Sequence, residues 1–311
     1  MAINRTTKKL LKAFSFDEVD VETARHLADL KRLDPMKRFY RKMDAKIYNE
    51  EYEIPVRIFF PDEESFREKD EVKNRKVMLF FHGGGWVTNH IENYGRICSR
   101  LAAATNHVVA AVEYRLAPEY KFPTGLMDCY AAAKAIYSNH LLLHVDSEDI
   151  TLIGDSAGGN LAAALSLMAR DRGEFRVQRQ ILVYPAVNND YSEESPYASV
   201  RENGTGYLLT AGMLQDYLDY YAEKEEDRRS PYFAPLLAEN LEEQPDTLIL
   251  TAEFDPLRDE GEAYGKRLAA AGNRVEVHRI KDAMHGFFSL GIKFLHVQES
   301  FDYINHFLRG E

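Results

Sequence analysis

A serine flanked by glycines is the first feature of the sequence that could do nucleophilic chemistry. The segment 154–158 reads Gly-Asp-Ser-Ala-Gly, and it lies between the predicted strand Ile150–Ile153 and the predicted helix Gly159–Arg172. In a strand-turn-helix of this G-x-S-x-G type, the serine adopts a strained backbone conformation that lifts its hydroxyl above the sheet. Glycines are needed on both sides because a Cβ there would collide with the tight turn. This context predicts that Ser156 is a nucleophile; the alternative is an ordinary glycine-rich βα loop.

A run of glycines provides the second feature that could do chemistry. Residues 82–86 read His-Gly-Gly-Gly-Trp and follow the predicted strand Val77–Phe81. Glycines let backbone N–H groups approach a ligand closely, and such donors can hold the negative oxygen of a tetrahedral intermediate. One such donor is typically worth about 10²–10³ in rate. A flexible loop or a phosphate cradle is the alternative, although neither G-x-x-x-x-G-K-[S/T] nor G-x-G-x-x-G occurs in the chain.

A nucleophilic serine needs a base and an acid that orients the base. On a sheet of this kind they follow the serine in the order acid, then histidine, on loops after later strands. Asp255 follows the predicted strand Thr247–Thr251, and His285 follows the predicted strand Val275–Ile280. Both lie at the carboxyl ends of strands, where open α/β sheets bind their ligands.

Other residues compete for these two roles. The rival acids are Glu253, Asp259 and, more weakly, Asp282. The rival histidines are His278, His296 and His306, which we expect to be structural or solvent-facing. His140 and His144 have the spacing of a ligand pair on a helix, but no third ligand stands near them in the sequence. We therefore predict no metal site.

The elements that position these residues alternate between short apolar strands and helices. Six strands follow one another from residue 77: Val77–Phe81, Val108–Val112, Ile150–Ile153, Ile181–Tyr184, Thr247–Thr251 and Val275–Ile280. Helices are predicted between and after them: Ile91–Thr105, Thr124–Asn139, Gly159–Arg172, Asp259–Ala271 and Leu295–Leu308. This pattern predicts an α/β fold with a mostly parallel sheet and helices on both faces. Two earlier runs, Ala45–Tyr52 and Ile54–Phe60, predict an antiparallel hairpin at one edge, which makes eight strands.

One long insertion interrupts the alternation. It contains a predicted helix, Leu208–Glu223, and seven tyrosines between Tyr191 and Tyr232, which either line an apolar pocket or pack the insertion. Together with the N-terminal segment, in which Leu10, Leu11 and Phe14 form one side of a predicted amphipathic helix, it predicts a helical cap over the sheet. We therefore divide the chain into an N-terminal cap segment (1–44), a catalytic core (45–185 and 236–311) and a cap insertion (186–235). The charged stretch 61–76 is expected to be a solvated connection.

Composition excludes several classes of protein. The chain has 311 residues with 45% hydrophobic and 29% charged side chains, and its formal net charge of −11 argues against nucleic acid as a partner. The two cysteines, Cys98 and Cys129, exclude a disulfide framework and are expected to be buried thiols. Because no apolar run approaches the roughly 20 residues of a membrane span, and no secretory signal is evident, we expect no membrane association and a cytoplasmic location.

From about residue 45 onward, the chain resembles the hormone-sensitive-lipase-like branch of the α/β-hydrolases, the bacterial carboxylesterases with HGGG and GDSAGG motifs. The segments that carry the resemblance are His82–Trp86, Glu113–Glu119, Gly154–Asn160, Asp255–Gly261 and His285–Phe287. The resemblance implies the α/β-hydrolase fold with a helical cap. It also implies an enzyme without metal or organic cofactor and a small-molecule ester as substrate. Proteins with this resemblance are often dimers, so a homodimer is one of the assemblies to expect.

The resemblance also implies a role for each candidate residue. Ser156 would be the nucleophile, His285 the general base and then acid, and Asp255 the carboxylate that orients it. The oxyanion hole would be formed by Gly83, Gly84 and Ala157. Trp86, Asp155 and Phe287 are further candidates for substrate contact, although each could instead support or pack the site. Arg258, Asp259 and Glu260 are expected to form an ion-pair and capping cluster.

The expected activity is hydrolysis of small esters with short-to-medium acyl groups through an acyl-enzyme. An amidase, a peptidase or a long-chain lipase could use the same machinery, but a mean hydropathy of −0.41 gives no support to a lipase. A non-catalytic receptor for a small ligand is the remaining alternative. Loss of a triad residue would mark it in the sequence, and all three candidates are present.

Overall fold

The computed structural model describes residues 20–29, 34, 37–49, 52–67, 75–138, 145–289 and 295–310 of the chain. The predicted N-terminal amphipathic helix with Leu10, Leu11 and Phe14 lies outside these residues, as does the His140 and His144 pair. No helix within the described ranges is both long and apolar enough to cross a membrane.

An eight-stranded sheet forms the centre of the protein. Its strands are β1 (Lys42–Asn49), β2 (Tyr52–Phe59), β3 (Val77–Phe81), β4 (Val108–Val112), β5 (Ile150–Asp155), β6 (Arg179–Val183), β7 (Asp246–Phe254) and β8 (Val275–Met284). Their order across the sheet is β1-β2-β4-β3-β5-β6-β7-β8. The β1–β2 and β2–β4 pairs are antiparallel, and all the others are parallel. The predicted edge hairpin and mostly parallel sheet are therefore confirmed.

Helices cover both faces of the sheet. They are α1 (Val21–Asp29), α2 (Glu63–Arg67), α3 (Ile91–Thr105), α4 (Thr124–Tyr137), α5 (Ala157–Arg172), α6 (Ala198–Asn203), α7 (Ala211–Tyr221), α8 (Arg258–Ala270) and α9 (Leu295–Arg309). In β3, Met78 and Phe80 pack towards α3 and α9, whereas Val77, Leu79 and Phe81 pack towards α4, α5 and α8. Since both faces of a parallel sheet are buried, its strands are continuously apolar rather than alternating.

Several segments differ from the sequence prediction, among them β1, β8 and the stretch 61–76. Strand β1 begins at Lys42, before the predicted Ala45, because it pairs with β2 along its whole length. Strand β8 continues to Met284, so that His285 follows it directly. The stretch 61–76 is not simply a solvated connection: it contains α2, Phe66 packs against Phe60 with ring centroids 5.5 Å apart, and Arg75 is buried.

Helices α1, α6 and α7 lie outside the alternating core. Helices α6 and α7 belong to the long insertion between β6 and β7. Helix α1 is held against the core by Arg25, which donates to the carbonyls of Val87 (2.9 Å) and Ala117 (2.8 Å) and forms a bidentate ion pair with Glu119 (2.7 Å). The helical cap is thus present, while the boundaries 1–44, 45–185 with 236–311, and 186–235 stay a prediction.

Candidate active site

Ser156 occupies a sharp turn between β5 and α5. Its backbone has φ 55° and ψ −119°, an unfavourable conformation for a residue with a side chain. The turn requires glycine on both sides: a Cβ on Gly154 would lie 2.8 Å from the Gly159 nitrogen, and a Cβ on Gly158 would lie 2.7 Å from the His82 oxygen. The close approach of these backbones explains the G-x-S-x-G spacing.

The structure brings together the three residues that the sequence indicated. His285 Nε2 lies 2.9 Å from Ser156 Oγ, and His285 Nδ1 lies 2.7 Å from Asp255 Oδ2. Asp255 is fully buried, and its other oxygen accepts a hydrogen bond from the Leu257 N–H (2.9 Å). The Tyr184 ring packs against the imidazole with centroids 4.6 Å apart. The histidine is therefore fixed between a hydroxyl and a carboxylate.

The rival residues make other contacts. Glu253 accepts a hydrogen bond from the Asp282 N–H (2.7 Å), Asp259 pairs with Arg258, and His278 stacks on Tyr303 at 4.0 Å. His296 is an exception to the prediction that the rival histidines are structural or solvent-facing. It lines the same cavity as Ser156, next to Phe287.

The glycine loop differs from the prediction at one of its two predicted amides. The Gly83 N–H donates to Asp155 Oδ1 (2.8 Å) and to the Tyr94 hydroxyl oxygen (3.2 Å), so its assignment to the oxyanion hole is wrong. Gly84 and Gly85 have positive φ values of 128° and 61° and line the cavity beside Ser156. Among the described residues, neither amide donates a hydrogen bond, and the same is true of Ala157 at the start of α5. Gly85, rather than Gly83, therefore has an amide beside Ser156 that donates to no described residue.

Asp155 supports this loop from behind. Besides the Gly83 amide, it accepts hydrogen bonds from the hydroxyls of Tyr94 (3.0 Å) and Tyr184 (3.2 Å). It is buried, and burial raises the pKa of its carboxyl to about 6 despite these donors. Although Asp155 borders the cavity, its carboxylate faces protein donors. These contacts favour the supporting role over the substrate contact, and both stay predictions.

The cavity at Ser156 has a volume of about 320 Å³ and a mostly apolar lining. Ala24 and Leu27 of α1 contribute one part of its wall, and Met213 and Tyr217 of α7 contribute another. The two other residues predicted to contact substrate also border the cavity, but both are buried and packed in aromatic clusters. Trp86 stacks on Tyr221 with centroids 4.5 Å apart, and Phe287 meets Tyr184 edge-on at 5.2 Å. Of the seven insertion tyrosines, all of them described, only Tyr217 lines the cavity.

Glu260 departs furthest from its prediction, which placed it in an ion-pair and capping cluster with Arg258 and Asp259. Arg258 does pair with Asp259, but Glu260 is fully buried, and burial raises its pKa to about 8. It accepts hydrogen bonds from the N–H groups of Val187 (2.7 Å) and Asn188 (3.1 Å) and from the Tyr191 hydroxyl (3.1 Å). It thereby ties the first turn of α8, just after Asp255, to the start of the cap insertion. Nothing in the sequence pattern around Glu260 indicated this burial.

Cys98 and Cys129 are buried free thiols, as expected. In the part of the chain that the structure describes, no three His, Cys, Asp or Glu side chains are grouped so that they could hold a metal ion.

Comparison with known proteins gives a consistent family assignment. A family model described as the alpha/beta hydrolase fold matches residues 78–289. An arylesterase of Saccharolobus solfataricus is 36% identical over 275 residues, covering 88% of this chain and 85% of its own length. An ethyl acetate hydrolase of Pseudomonas putida is 34% identical over 239 residues, covering 76% and 72%. A hyperthermophilic esterase from the archaeon Pyrobaculum calidifontis superposes with a TM-score of 0.87 at 35% identity, covering 100% of this chain and 99% of that one. The chain therefore belongs to the hormone-sensitive-lipase-like branch of the α/β-hydrolase family and is a carboxylesterase.

Proposed function

We propose that the protein hydrolyses esters through an acyl-enzyme formed on Ser156, with His285 as proton carrier and Asp255 as its orienting carboxylate. One observation carries the proposal: His285 lies within hydrogen-bond distance of Ser156 Oγ (2.9 Å) on one side and of Asp255 Oδ2 (2.7 Å) on the other. A serine hydroxyl is a weak nucleophile on its own, and a base in this position removes its proton as it attacks.

The reaction divides into two matched halves. Ser156 Oγ attacks the ester carbonyl carbon while its proton passes to His285 Nε2, and the carbonyl oxygen becomes an oxyanion. The N–H groups of Gly84, Gly85 and Ala157 hold that oxyanion. When the intermediate collapses, the C–O bond to the alcohol breaks, and His285 returns the proton to the departing oxygen. Water then repeats these steps on the acyl-enzyme and releases the acid. Asp255 stays ionised throughout and stabilises the imidazolium.

The cavity favours small substrates with short-to-medium acyl groups. Its volume of about 320 Å³ is at the lower end of the range of about 300–1,000 Å³ that is usual for small-molecule sites. Its mostly apolar lining suits an uncharged acyl chain. The names of two relatives, an arylesterase and an ethyl acetate hydrolase, support a small ester as substrate.

The test is hydrolysis of p-nitrophenyl esters from acetate to dodecanoate by the wild type and by Ser156→Ala, with p-nitroanilides of the same acids as amide substrates. Loss of a triad serine costs about 10⁶ in kcat in other serine hydrolases, so we expect the variant to fall to background. Equal rates in the two proteins would contradict the proposal, and faster cleavage of anilides than of esters would identify an amidase.

A further inference from the structure

Tyr217 lies directly on the glycine loop. A Cβ added to Gly85 would overlap the Tyr217 ring and lie only 2.6 Å from its Cδ1 atom. Tyr217 shares one face of α7 with Met213 and Leu214, since residues three and four apart are neighbours on a helix, and all three line the cavity. The ring therefore lies next to Gly85, whose amide donates to the oxyanion in the proposed mechanism.

The chemistry of the proposed mechanism determines which part of an ester faces this ring. His285 must protonate the departing alcohol, so the alcohol group lies on the side of the imidazole. The carbonyl oxygen points to the amides of Gly84, Gly85 and Ala157, and the acyl chain takes the direction that remains, away from His285.

The two walls of the cavity belong to opposite faces of the sheet. Phe287, next to His285, packs in the core cluster of α3 and α9. Tyr217 packs against the other cluster, which contains Leu214, Leu218 and Trp86. The side of the cavity away from His285 is therefore the side where Tyr217 stands.

We propose that Tyr217 is a specificity-determining residue whose ring limits the length of the acyl chain. This inference rests on the proposed function, because it uses the positions of the oxyanion and of the alcohol. Tyr217 forms no hydrogen bond with any residue that the structure describes, so its ring is held by packing and acts through its volume. The substrates selected are esters of short acids, with more freedom in the alcohol.

The test compares Tyr217→Ala, Tyr217→Phe and the control Tyr220→Ala in two substrate series. Tyr220 is on the same helix and is half-buried against the same cluster, but it does not line the cavity. The first series varies the acyl chain of p-nitrophenyl esters, and the second varies the alcohol of acetate esters. In Tyr217→Ala, acyl chains longer than the wild-type optimum should gain about fourfold in kcat/KM for each methylene newly buried. The alcohol series should change uniformly, without a new length preference.

Each outcome supports or overturns the proposal. Tyr217→Phe and Tyr220→Ala should both keep the wild-type acyl profile, because the ring volume at the cavity is retained. An unchanged profile in Tyr217→Ala, or a shift confined to the alcohol series, would overturn it. A Tyr217→Phe variant that matches Tyr217→Ala would assign the limit to the hydroxyl and also overturn it. If the wild type hydrolyses no ester in a Ser156-dependent way, the proposed function fails; a Ser156-dependent activity with an unchanged profile refutes only the role of Tyr217.

Discussion

Substituting Asp155 by asparagine should lower kcat while leaving KM almost unchanged. The asparagine oxygen still accepts from the Gly83 amide, but its NH₂ group replaces the oxygen that accepts from Tyr94 and Tyr184. A hydrogen bond to a charged group is worth about 1.5–3 kcal/mol and a neutral one about 0.5–1.5 kcal/mol. The glycine loop thus loses roughly 1.4 kcal/mol of support, which corresponds to about tenfold in rate if it is lost from the transition state.

The same substitution should make the protein relatively more stable at high pH. Burial raises the pKa of Asp155 from 3.8 to about 6, so the folded protein holds this proton more tightly than the unfolded chain. The free energy of unfolding therefore falls as the pH rises through this interval. The cost of ionisation is larger at pH 8 than at pH 5 by on the order of 1 kcal/mol. Asparagine has no proton to lose, so the variant should gain on the order of 1 kcal/mol relative to the wild type between these pH values.

The assay combines steady-state kinetics on a short p-nitrophenyl ester with urea unfolding at pH 5 and pH 8. Asp282→Asn is a matched control for the stability measurement, because Asp282 borders the same cavity but is exposed. It should show the wild-type dependence of stability on pH. A raised KM with unchanged kcat in Asp155→Asn would show that Asp155 contacts substrate, and parallel stability profiles would refute the reasoning from burial.

Three further substitutions test other parts of the site. Gly85→Ala should lower kcat by about 10² or more, since it displaces an oxyanion donor and collides with Tyr217. The control Gly173→Ala has a similar φ of 63° and nothing within 4 Å, so it should cost only the backbone strain of about 1–2 kcal/mol. An equal loss of kcat in both variants would contradict the role of Gly85. Burial raises the pKa of Glu260 to about 8, so between pH 4.5 and pH 8 the free energy of unfolding should fall with pH more steeply in the wild type than in Glu260→Gln. The two slopes should differ by up to about 1.4 kcal/mol per pH unit. Urea unfolding at pH 6 and pH 8 checks this, and identical slopes would refute it. Asp255→Asn should retain the fold, because the Leu257 N–H keeps an acceptor, but lose about 10⁴ in kcat; full activity would move the acid role to another residue.

The sequence predicted most of the core because its signals there are local. The strands β3 and β4 and the helix α3 have the predicted bounds, since each is an apolar run or an amphipathic period between turn residues. The positions of Ser156, Asp255 and His285 followed from strand ends and motif order, and the structure places them within hydrogen-bond distance of one another.

What the sequence could not predict depends on contacts between distant segments. Whether Gly83 or Gly85 faces the cavity is decided by Asp155, which lies 72 residues along the chain from Gly83. Tyr217 differs from the other tyrosines of α7, Tyr220 and Tyr221, only in its position around the helix. The burial of Glu260 depends on a segment 72–73 residues away. A cytoplasmic location, the absence of a nucleic-acid or membrane partner and a homodimeric assembly stay predictions.

In the proposed mechanism an acyl group is transferred to Ser156, and trapping this acyl-enzyme is the decisive test. The enzyme is mixed with a p-nitrophenyl ester, quenched in acid within the first turnovers, digested and mapped by mass spectrometry. We predict one acylated peptide, containing Ser156, and no adduct in Ser156→Ala. Acylation of another cavity residue such as Ser289, or ester turnover without any adduct on Ser156, would contradict the account.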